Sequence, residues 1–216
     1  MREKDILLFD LDGTLTDSTE GILNCLRYAL ERMGFEYPED TNRFLGPPLY
    51  FSFAEFCGMN GEQVQEAVRI FRERYSVTGL FENRVYEGIP EMLDRLKKGG
   101  KRLMVATSKP EVYAVRIFNR FGLSQFFEIV GGADINGTRN NKDEVIEYVL
   151  ARSDAADRSR VLMIGDRKQD VDGAHSTGIE CMGILWGFGS AEELTEAGAD
   201  FIAQTPREAA DMLLKE

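Results

Sequence analysis

Short apolar runs alternate with helical patterns along most of the chain. Ile6–Phe9 is a run of four apolar residues that ends at acidic residues and Gly13, which is typical of a strand buried on both faces. Similar runs lie at residues 102–106, 127–130 and 161–164, and a weaker one follows at 181–185. Because helical patterns separate the later runs, we predict an α/β fold, a Rossmann-like parallel sheet with helices on both faces.

The helical stretches have recognisable starts, ends and apolar stripes. Pro90 suits a first helical turn, and the glycine pair at 99–100 ends that helix. The next helix is predicted to bury a stripe of four residues, namely Val112, Val115, Phe118 and Phe121. A last helix is predicted to open at Pro206.

The segment after the first strand has a different pattern. Residues 18–83 contain two amphipathic helical stretches and no convincing buried strand. We therefore predict a small all-helical cap domain at 18–83, inserted after the first strand, and a catalytic core domain formed by 1–17 and 84–216. The alternative is that these helices simply pack on the sheet.

Composition excludes several classes of protein. The chain has 216 residues, 43% of them hydrophobic, and a formal net charge of -11, which argues against binding to nucleic acid or to anionic membranes. We see no apolar run near the roughly 20 residues that cross a bilayer and no cleavage site for a signal peptide. The three cysteines, Cys25, Cys57 and Cys181, have no zinc-binding spacing and are expected to be reduced and buried in a cytoplasmic protein.

Two pairs of acidic residues follow predicted strands. Asp10 and Asp12 come directly after Ile6–Phe9, while Asp166 and Asp170 follow the strand at 161–164. If both strands are parallel, the four carboxylates meet at one edge of the sheet, where a divalent cation such as Mg²⁺ would offset their repulsion. Taken separately, the first pair could belong to a capping turn, and Asp170 could be the N-cap of the next helix.

Two further polar features lie in the same series of predicted strands and helices. Thr107 and Ser108 follow the run at 102–106, where hydroxyls and backbone N–H groups at a helix N-terminus can hold an anionic oxygen. Lys142 opens a later predicted helix and is a candidate to neutralise a phosphate. The alternatives are an ordinary Ser or Thr helix cap and a solvated surface lysine.

In this order, the four motifs resemble those of the haloacid dehalogenase-like hydrolase superfamily. They comprise the run Asp10-Leu11-Asp12-Gly13-Thr14-Leu15, Thr107-Ser108, Lys142, and Gly165-Asp166 through Asp170. The closest similarity is to the phosphoglycolate phosphatase-like branch, whose members carry a helical cap after the first motif. Thr-Asn and Lys-Pro are frequent at the second and third motifs of that branch, where this chain has Thr107-Ser108 and Lys142-Asp143.

The resemblance implies a role for each motif residue. Asp10 would be the nucleophile that forms an aspartyl-phosphate, and Asp12 would be the general acid and then the base. Thr107 and Ser108 would bind phosphoryl oxygens, and Lys142 would offset the charge of phosphate and nucleophile. The implied Mg²⁺ ligands are Asp10, the backbone carbonyl of Asp12, Asp166 and, directly or through water, Asp170.

The resemblance also implies a substrate-specificity loop at residues 43–49, which includes Gly46 and two prolines. A rigid connection between helices is an equal alternative for this loop. The aromatic run at 50–53 is expected in the core of the cap or at its interface with the sheet. Trp186 and Phe188 are expected to pack at the end of the strand at 181–185, although an aromatic side chain there could touch substrate.

The expected function is that of a Mg²⁺-dependent phosphomonoesterase, monomeric or homodimeric, acting on a small phosphorylated metabolite. Candidate substrates are phosphoglycolate, a nucleoside monophosphate or a sugar phosphate. A phosphomutase needs the same motifs and remains an alternative, and a non-enzymatic regulatory protein would be expected to lack a charged motif residue. The presence of Asp12 argues against a dehalogenase, which has no leaving alcohol to protonate.

Overall fold

The computed structural model describes residues 4–135 and 138–214. The chain divides into two compact units. The sheet unit comprises Met1–Thr16 and Val85–Glu216, and the helical unit comprises Asp17–Arg84. Each unit has its own buried side chains.

Eight strands are present in the described residues. In chain order they are β1 (Ile6–Phe9), β2 (Thr16–Asp17), β3 (Arg84–Val85), β4 (Arg102–Pro110), β5 (Ile129–Ala133), β6 (Val161–Gly165), β7 (Glu180–Ile184) and β8 (Phe201–Ala203). Six of them form one sheet in the order β5-β4-β1-β6-β7-β8, and all neighbouring pairs are parallel. β2 and β3 form a two-stranded sheet where the chain passes from one unit to the other.

Nine helices of at least six residues accompany these strands in the described part of the chain. They are α1 (Thr19–Met33), α2 (Leu49–Cys57), α3 (Gly61–Tyr75), α4 (Ile89–Lys98), α5 (Glu111–Arg120), α6 (Lys142–Arg152), α7 (Lys168–Ser176), α8 (Ala191–Glu196) and α9 (Pro206–Leu214). Short 3-10 helices lie at Asn42–Phe44, Gly79–Phe81, Ser124–Phe126 and Arg158–Arg160.

Helices cover the sheet on both faces. On one face, Leu8 of β1 belongs to a buried cluster with Val145 of α6 and Val171 of α7. On the other face, the ring of Phe9 packs edge-on against Phe127, which in turn packs against Phe118 of α5. Since successive residues of a strand point to opposite faces, both sides of β1 are buried, as its uniformly apolar sequence requires. The predicted Rossmann-like α/β fold is confirmed.

Two details of the predicted pattern are wrong. The strand expected at 127–130 begins at Ile129 and ends at Ala133, because the chain first makes the short helix Ser124–Phe126. In α5, Val112 and Val115 are exposed, and the buried face consists of Tyr113, Ala114, Ile117 and Phe118. The buried face of α5 is therefore rotated relative to the predicted stripe. It includes Phe118, whose ring packs against Phe127, and it leaves the two valines exposed.

The helical unit contains α1, α2 and α3. α1 ends at Gly34, whose φ of 73° is the left-handed geometry that a terminating glycine favours. α3 begins with a capping box in which Asn60 and Gln63 bond each other's backbone N–H groups. α1 packs against α3, and α3 against α2.

Two expectations about side chains in the helical unit need correction. Within the aromatic run at 50–53, Phe53 is buried, but Tyr50 and Phe51 are about half exposed, at 49% and 51%. α2 has only nine residues, so only one of its faces is covered by α3. Cys57, expected to be buried, is only partly so, and like Cys25 and Cys181 it forms no disulfide.

Within residues 4–135 and 138–214, none of the helices has both the length and the hydrophobicity required to cross a membrane.

Candidate functional site

The candidate site lies at the carboxyl ends of three adjacent strands of the sheet unit. Asp10 follows β1, Asp166 follows β6, and Thr107 lies near the end of β4. Because β4, β1 and β6 are neighbours and parallel, their carboxyl ends meet at one edge of the sheet. This is the edge where open α/β sheets bind ligands.

Lys142 joins two of the acidic residues. Its Nζ lies 2.7 Å from Asp10 Oδ1 and 2.8 Å from Asp170 Oδ1, and it donates a third bond to the carbonyl of Ala106 at 3.1 Å. These contacts use the three N–H donors of an ammonium group. Burial by itself lowers the pKa of Lys142, but the two carboxylates outweigh this effect and raise the pKa overall. Lys142 is therefore a buried cation, not a solvated surface lysine.

Lys142 is the first residue of α6. Its aliphatic chain reaches the site because α7 carries a glycine where it packs against α6. A Cβ atom on Gly173 would lie 2.6 Å from Cγ of Lys142. Any larger side chain at this position would displace the lysine. Gly173 is thus explained by close packing beside the site rather than by backbone conformation.

Asp166 is held on both carboxylate oxygens. The hydroxyl of Thr14 donates to Oδ1 at 3.1 Å, and the backbone N–H of Phe188 donates to Oδ2 at 2.8 Å. The turn after β1 approaches closely, since Gly13 has a φ of 84° and a Cβ there would lie 2.2 Å from Oδ2. Glycine is required at position 13 for both reasons.

The residues present fit a divalent cation. Carboxylate oxygens of Asp10, Asp166 and Asp170 lie within 4.8 Å of one another, and all three residues are buried. Burial, together with the neighbouring carboxylates, raises the pKa of Asp166; burial also raises that of Asp170, against the opposing effect of Lys142. Three carboxylates face one ammonium group, so two negative charges remain to be offset, and oxygen ligands suit Mg²⁺.

The alternative role of Asp170 as a helix N-cap does not match the structure. α7 begins at Lys168, so Asp170 is its third residue, and Oδ2 accepts a bond from the backbone N–H of Arg167 at 3.1 Å. The other oxygen faces Lys142. One carboxylate therefore both secures the start of the helix and belongs to the acidic cluster.

Asp12 is paired with a lysine that sequence reasoning did not assign to the site. Nζ of Lys109 lies 2.5 Å from Oδ2 of Asp12, and both side chains are largely buried, with 6% and 18% exposure. Lys109 directly follows the Thr107-Ser108 motif, and that position was the available signal. Asp12 lies outside the cluster of three carboxylates, with its own cation.

The sequence suggested that Thr107 and Ser108 lie at a helix N-terminus, and this expectation is wrong. Both belong to β4, which continues to Pro110, and α5 begins at Glu111. The pairing of β4 with β5 shifts register between Thr107 and Pro110, and the Thr107 hydroxyl accepts a bond from the backbone N–H of Lys109 at 3.2 Å. The bulge, rather than a helix end, shapes the backbone here.

Gly46 belongs to the helical unit. It lies between the short helix Asn42–Phe44 and α2, with a φ of 106° that favours glycine. Phe44 and Leu45 beside it are buried. The role of this loop in substrate selection stays a prediction.

Comparison with known proteins gives a consistent family. A model of the haloacid dehalogenase-like hydrolases matches residues 7–184. A 5'-nucleotidase of Pseudomonas aeruginosa is 45% identical over 190 residues, which are 87% of this chain and 86% of that protein. The crystal structure of a predicted phosphatase from Clostridium acetobutylicum, 39% identical, superimposes with a TM-score of 0.92 and covers 98% of this chain and 99% of that one.

A third relative carries a different activity in its name. Tyrosine-protein kinase PtkA of Mycobacterium tuberculosis is 40% identical over 189 residues, which are 87% of this chain but 64% of PtkA. The match of the family model spans most of the chain and contains every motif residue described above. The chain belongs to the haloacid dehalogenase-like hydrolase family, as its four motifs indicated.

Proposed function

We propose that the protein is a Mg²⁺-dependent phosphomonoesterase that acts through an aspartyl-phosphate. The observation that supports this most directly is the contact of Lys142 with both Asp10 and Asp170, beside Asp166. It brings a nucleophile, a cation and metal-binding carboxylates together at the ligand-binding edge of the sheet.

In the first half of the proposed reaction, a carboxylate oxygen of Asp10 attacks phosphorus. The bond from phosphorus to the leaving oxygen breaks as the new bond forms. Asp12, in its protonated form, gives its proton to the leaving alcohol and becomes the carboxylate that acts in the second half. Lys142 fixes the orientation of the attacking carboxylate through Oδ1. Thr107 and Ser108 hold phosphoryl oxygens.

In the second half, a water molecule attacks phosphorus and Asp12 accepts its proton. The bond to Asp10 breaks, inorganic phosphate leaves and the carboxylate is regenerated. Asp10, the backbone carbonyl of Asp12, Asp166 and Asp170 would hold Mg²⁺, directly or through water, and the bound ion would offset the charge of the phosphoryl group. The pairing of Lys109 with Asp12 supports a fixed position for the proton carrier.

Among the candidate substrates, we propose a nucleoside monophosphate. The 5'-nucleotidase relative supports this choice, at 45% identity over most of both chains. Selectivity would depend on the helical unit, including the loop around Gly46. Three cysteines without a disulfide fit a reducing cytoplasm as the place of action.

The experiment is a release assay for inorganic phosphate with an aryl phosphate and a panel of nucleoside, sugar and short carboxylate phosphates. We expect Mg²⁺-dependent release that is highest with nucleoside monophosphates and absent in Asp10→Asn. Asp10→Asn must retain the circular dichroism spectrum and unfolding curve of the native protein. Full activity of Asp10→Asn, or activity that a chelator leaves unchanged, would contradict the mechanism.

The same assay separates a hydrolase from a phosphotransferase. A phosphomutase or a kinase would move the phosphoryl group to another organic molecule. Phosphate recovered as an isomer or a phosphorylated acceptor, in place of inorganic phosphate, would overturn the proposal of a phosphomonoesterase.

A further inference from the structure

The loop after β7 packs against Asp166 but has no part in the proposed reaction. It consists of residues 186–189, Trp186-Gly187-Phe188-Gly189, and is called the clasp loop here. Trp186 is the single tryptophan of the chain. The loop lies in the sheet unit, as do Asp166 and the turn after β1.

Hydrogen bonds connect the clasp loop to both oxygens of Asp166. The backbone N–H of Phe188 donates directly to Oδ2 at 2.8 Å. On the other side, the indole N–H of Trp186 donates to the carbonyl of Thr14 at 2.9 Å, and the Thr14 hydroxyl donates to Oδ1 at 3.1 Å. One oxygen is thus held by the loop itself, and the other is held through Thr14.

The two glycines of the loop allow this close approach. A Cβ on Gly187 would lie 2.3 Å from the carbonyl oxygen of Gly13, and one on Gly189 would lie 1.8 Å from the backbone oxygen of Asp166. Real Cβ atoms do not approach other atoms so closely. The loop is therefore packed directly against the backbone of both acidic motifs.

We propose that Trp186 is a positioning residue for the Mg²⁺ site and acts through Thr14 on Asp166. Each carboxylate oxygen of Asp166 accepts one described hydrogen bond and keeps a lone pair that a cation can use. The two donors prevent the carboxylate from rotating away from the cluster with Asp10 and Asp170. The inference deepens the proposed function, because it depends on metal binding at this cluster.

Burial explains why losing the hydrogen bond from Trp186 would disturb the turn that holds Asp166. Thr14 and Asp166 are fully buried, so a carbonyl of Thr14 that loses the indole donor has little water to replace it. The turn would then shift to find another donor and would move the Thr14 hydroxyl away from Asp166. Changes to groups that orient a ligand weaken metal binding by about 10- to 100-fold. Trp186 lies one step further from the metal, so we expect a loss of roughly 3- to 10-fold.

The test is calorimetric titration of the full chain with Mg²⁺ in the absence of substrate. Trp186→Phe removes the N–H and keeps an aromatic ring, and Thr14→Val removes the hydroxyl at similar size. Tyr148→Phe is the matched control, because it also removes a hydrogen-bonding group from an aromatic side chain and keeps the ring, but the lost bond is the exposed one to Arg152. Unfolding of each variant is measured without metal, so that only folded variants are compared.

We expect Trp186→Phe and Thr14→Val to weaken Mg²⁺ binding while Tyr148→Phe stays within twofold of the native protein. In the native protein, emission from Trp186 should change with the same midpoint as the calorimetric titration, since no other tryptophan contributes. Emission that stays constant while heat of binding is observed would contradict the inference, as would native affinity in Trp186→Phe. If the native protein itself binds no Mg²⁺, the proposed function fails together with the inference.

Discussion

At the scale of single residues, the two lysines at the site have separate partners. Lys142 contacts Asp10 and Asp170, whereas Lys109 contacts Asp12. The proposed nucleophile, Asp10, and the proposed proton carrier, Asp12, are only two residues apart, and without separate cations their carboxylates would repel each other. The pairing keeps both carboxylates in fixed orientations before a phosphate arrives.

Lys109→Met leaves Asp12 without its cation, so the carboxyl group is free to turn away from the leaving oxygen. We expect kcat/KM for an alkyl phosphate to fall about 10- to 100-fold, since misplaced general acids lose much of their effect. A nitrophenyl phosphate should lose far less, because its leaving group departs without protonation. The measurement is kcat/KM for both esters with the same enzyme samples.

Two other variants complete the comparison. Lys109→Arg restores a cation and should recover part of the alkyl phosphate activity. Lys98→Met removes an exposed lysine that pairs with Asp94 on α4, and it should change the hydrolysis of neither ester. Equal losses for both esters in Lys109→Met would show that Lys109 acts on folding or on phosphate binding instead of on Asp12.

The site residues differ in how far the sequence could predict them. Asp10 and Asp166 directly follow apolar runs that are clearly strands, so their convergence follows from parallel pairing. Asp12, expected as the fourth carboxylate of the cluster, lies outside it. The partner of Asp12 could not be predicted, because Lys109 lies beyond a bulge in β4 that the apolar pattern does not reveal. Thr14 belongs to the first motif, and the sequence places two aromatic residues, Trp186 and Phe188, where they could touch substrate. The hydrogen bonds that connect them to Asp166 could not be predicted, because contacts between distant turns leave no periodic signal.

At the scale of secondary structure elements, the apolar pattern predicts the buried face of α3 but not that of α5. In α3, the apolar residues at helical spacing are all buried, namely Val64, Ala67, Val68, Phe71 and Tyr75. In α5, the valines were assigned to the buried stripe, but Phe127 from outside the helix selects a different face. Tertiary contacts of this kind override the local apolar pattern.

An ion pair in the helical unit gives a prediction for pH. Arg74 of α3 donates two hydrogen bonds of 2.7 Å to Glu82, and these bonds lower the pKa of Glu82 despite the opposing effect of burial. Because the folded pKa lies below the unfolded one, the pair stabilises the fold at neutral pH. This contribution is lost as the pH falls through the lowered pKa.

Glu82→Gln should therefore reduce the free energy of unfolding by about 1 kcal/mol at pH 7. The difference from the native protein should shrink below about pH 4, near the ordinary pKa of a glutamate. Urea unfolding at several pH values, followed by a signal from the helical unit, measures this. Glu66→Gln is the control, because Glu66 pairs with Arg69 on the exposed surface of α3 and should change stability little at any pH. A difference for Glu82→Gln that does not depend on pH would assign its effect to packing.

At the scale of the whole molecule, the chain places all the proposed metal ligands in one unit. Asp10, Asp166 and Asp170 belong to the sheet unit, and so do Thr14 and Trp186. The helical unit is joined to it through β2 and β3 and has its own buried residues on α1 and α3. Binding of Mg²⁺ in the absence of substrate should therefore stabilise the sheet unit directly and add no contact to the helical unit.

Hydrogen–deuterium exchange with mass spectrometry tests this division. A cation that binds only the folded sheet unit slows the openings that expose β1, β6 and the clasp loop, by an amount that grows with its concentration relative to Kd. We expect added Mg²⁺ to slow exchange in peptides from these segments and to leave peptides from α1 and α3 unchanged. Asp166→Asn should remove the effect throughout, because it takes away one of the carboxylates that hold the ion. If protection instead rises equally in α1, α3 and the sheet, the two units open together, and the helical unit contributes to the stability of the metal site as part of one cooperative fold.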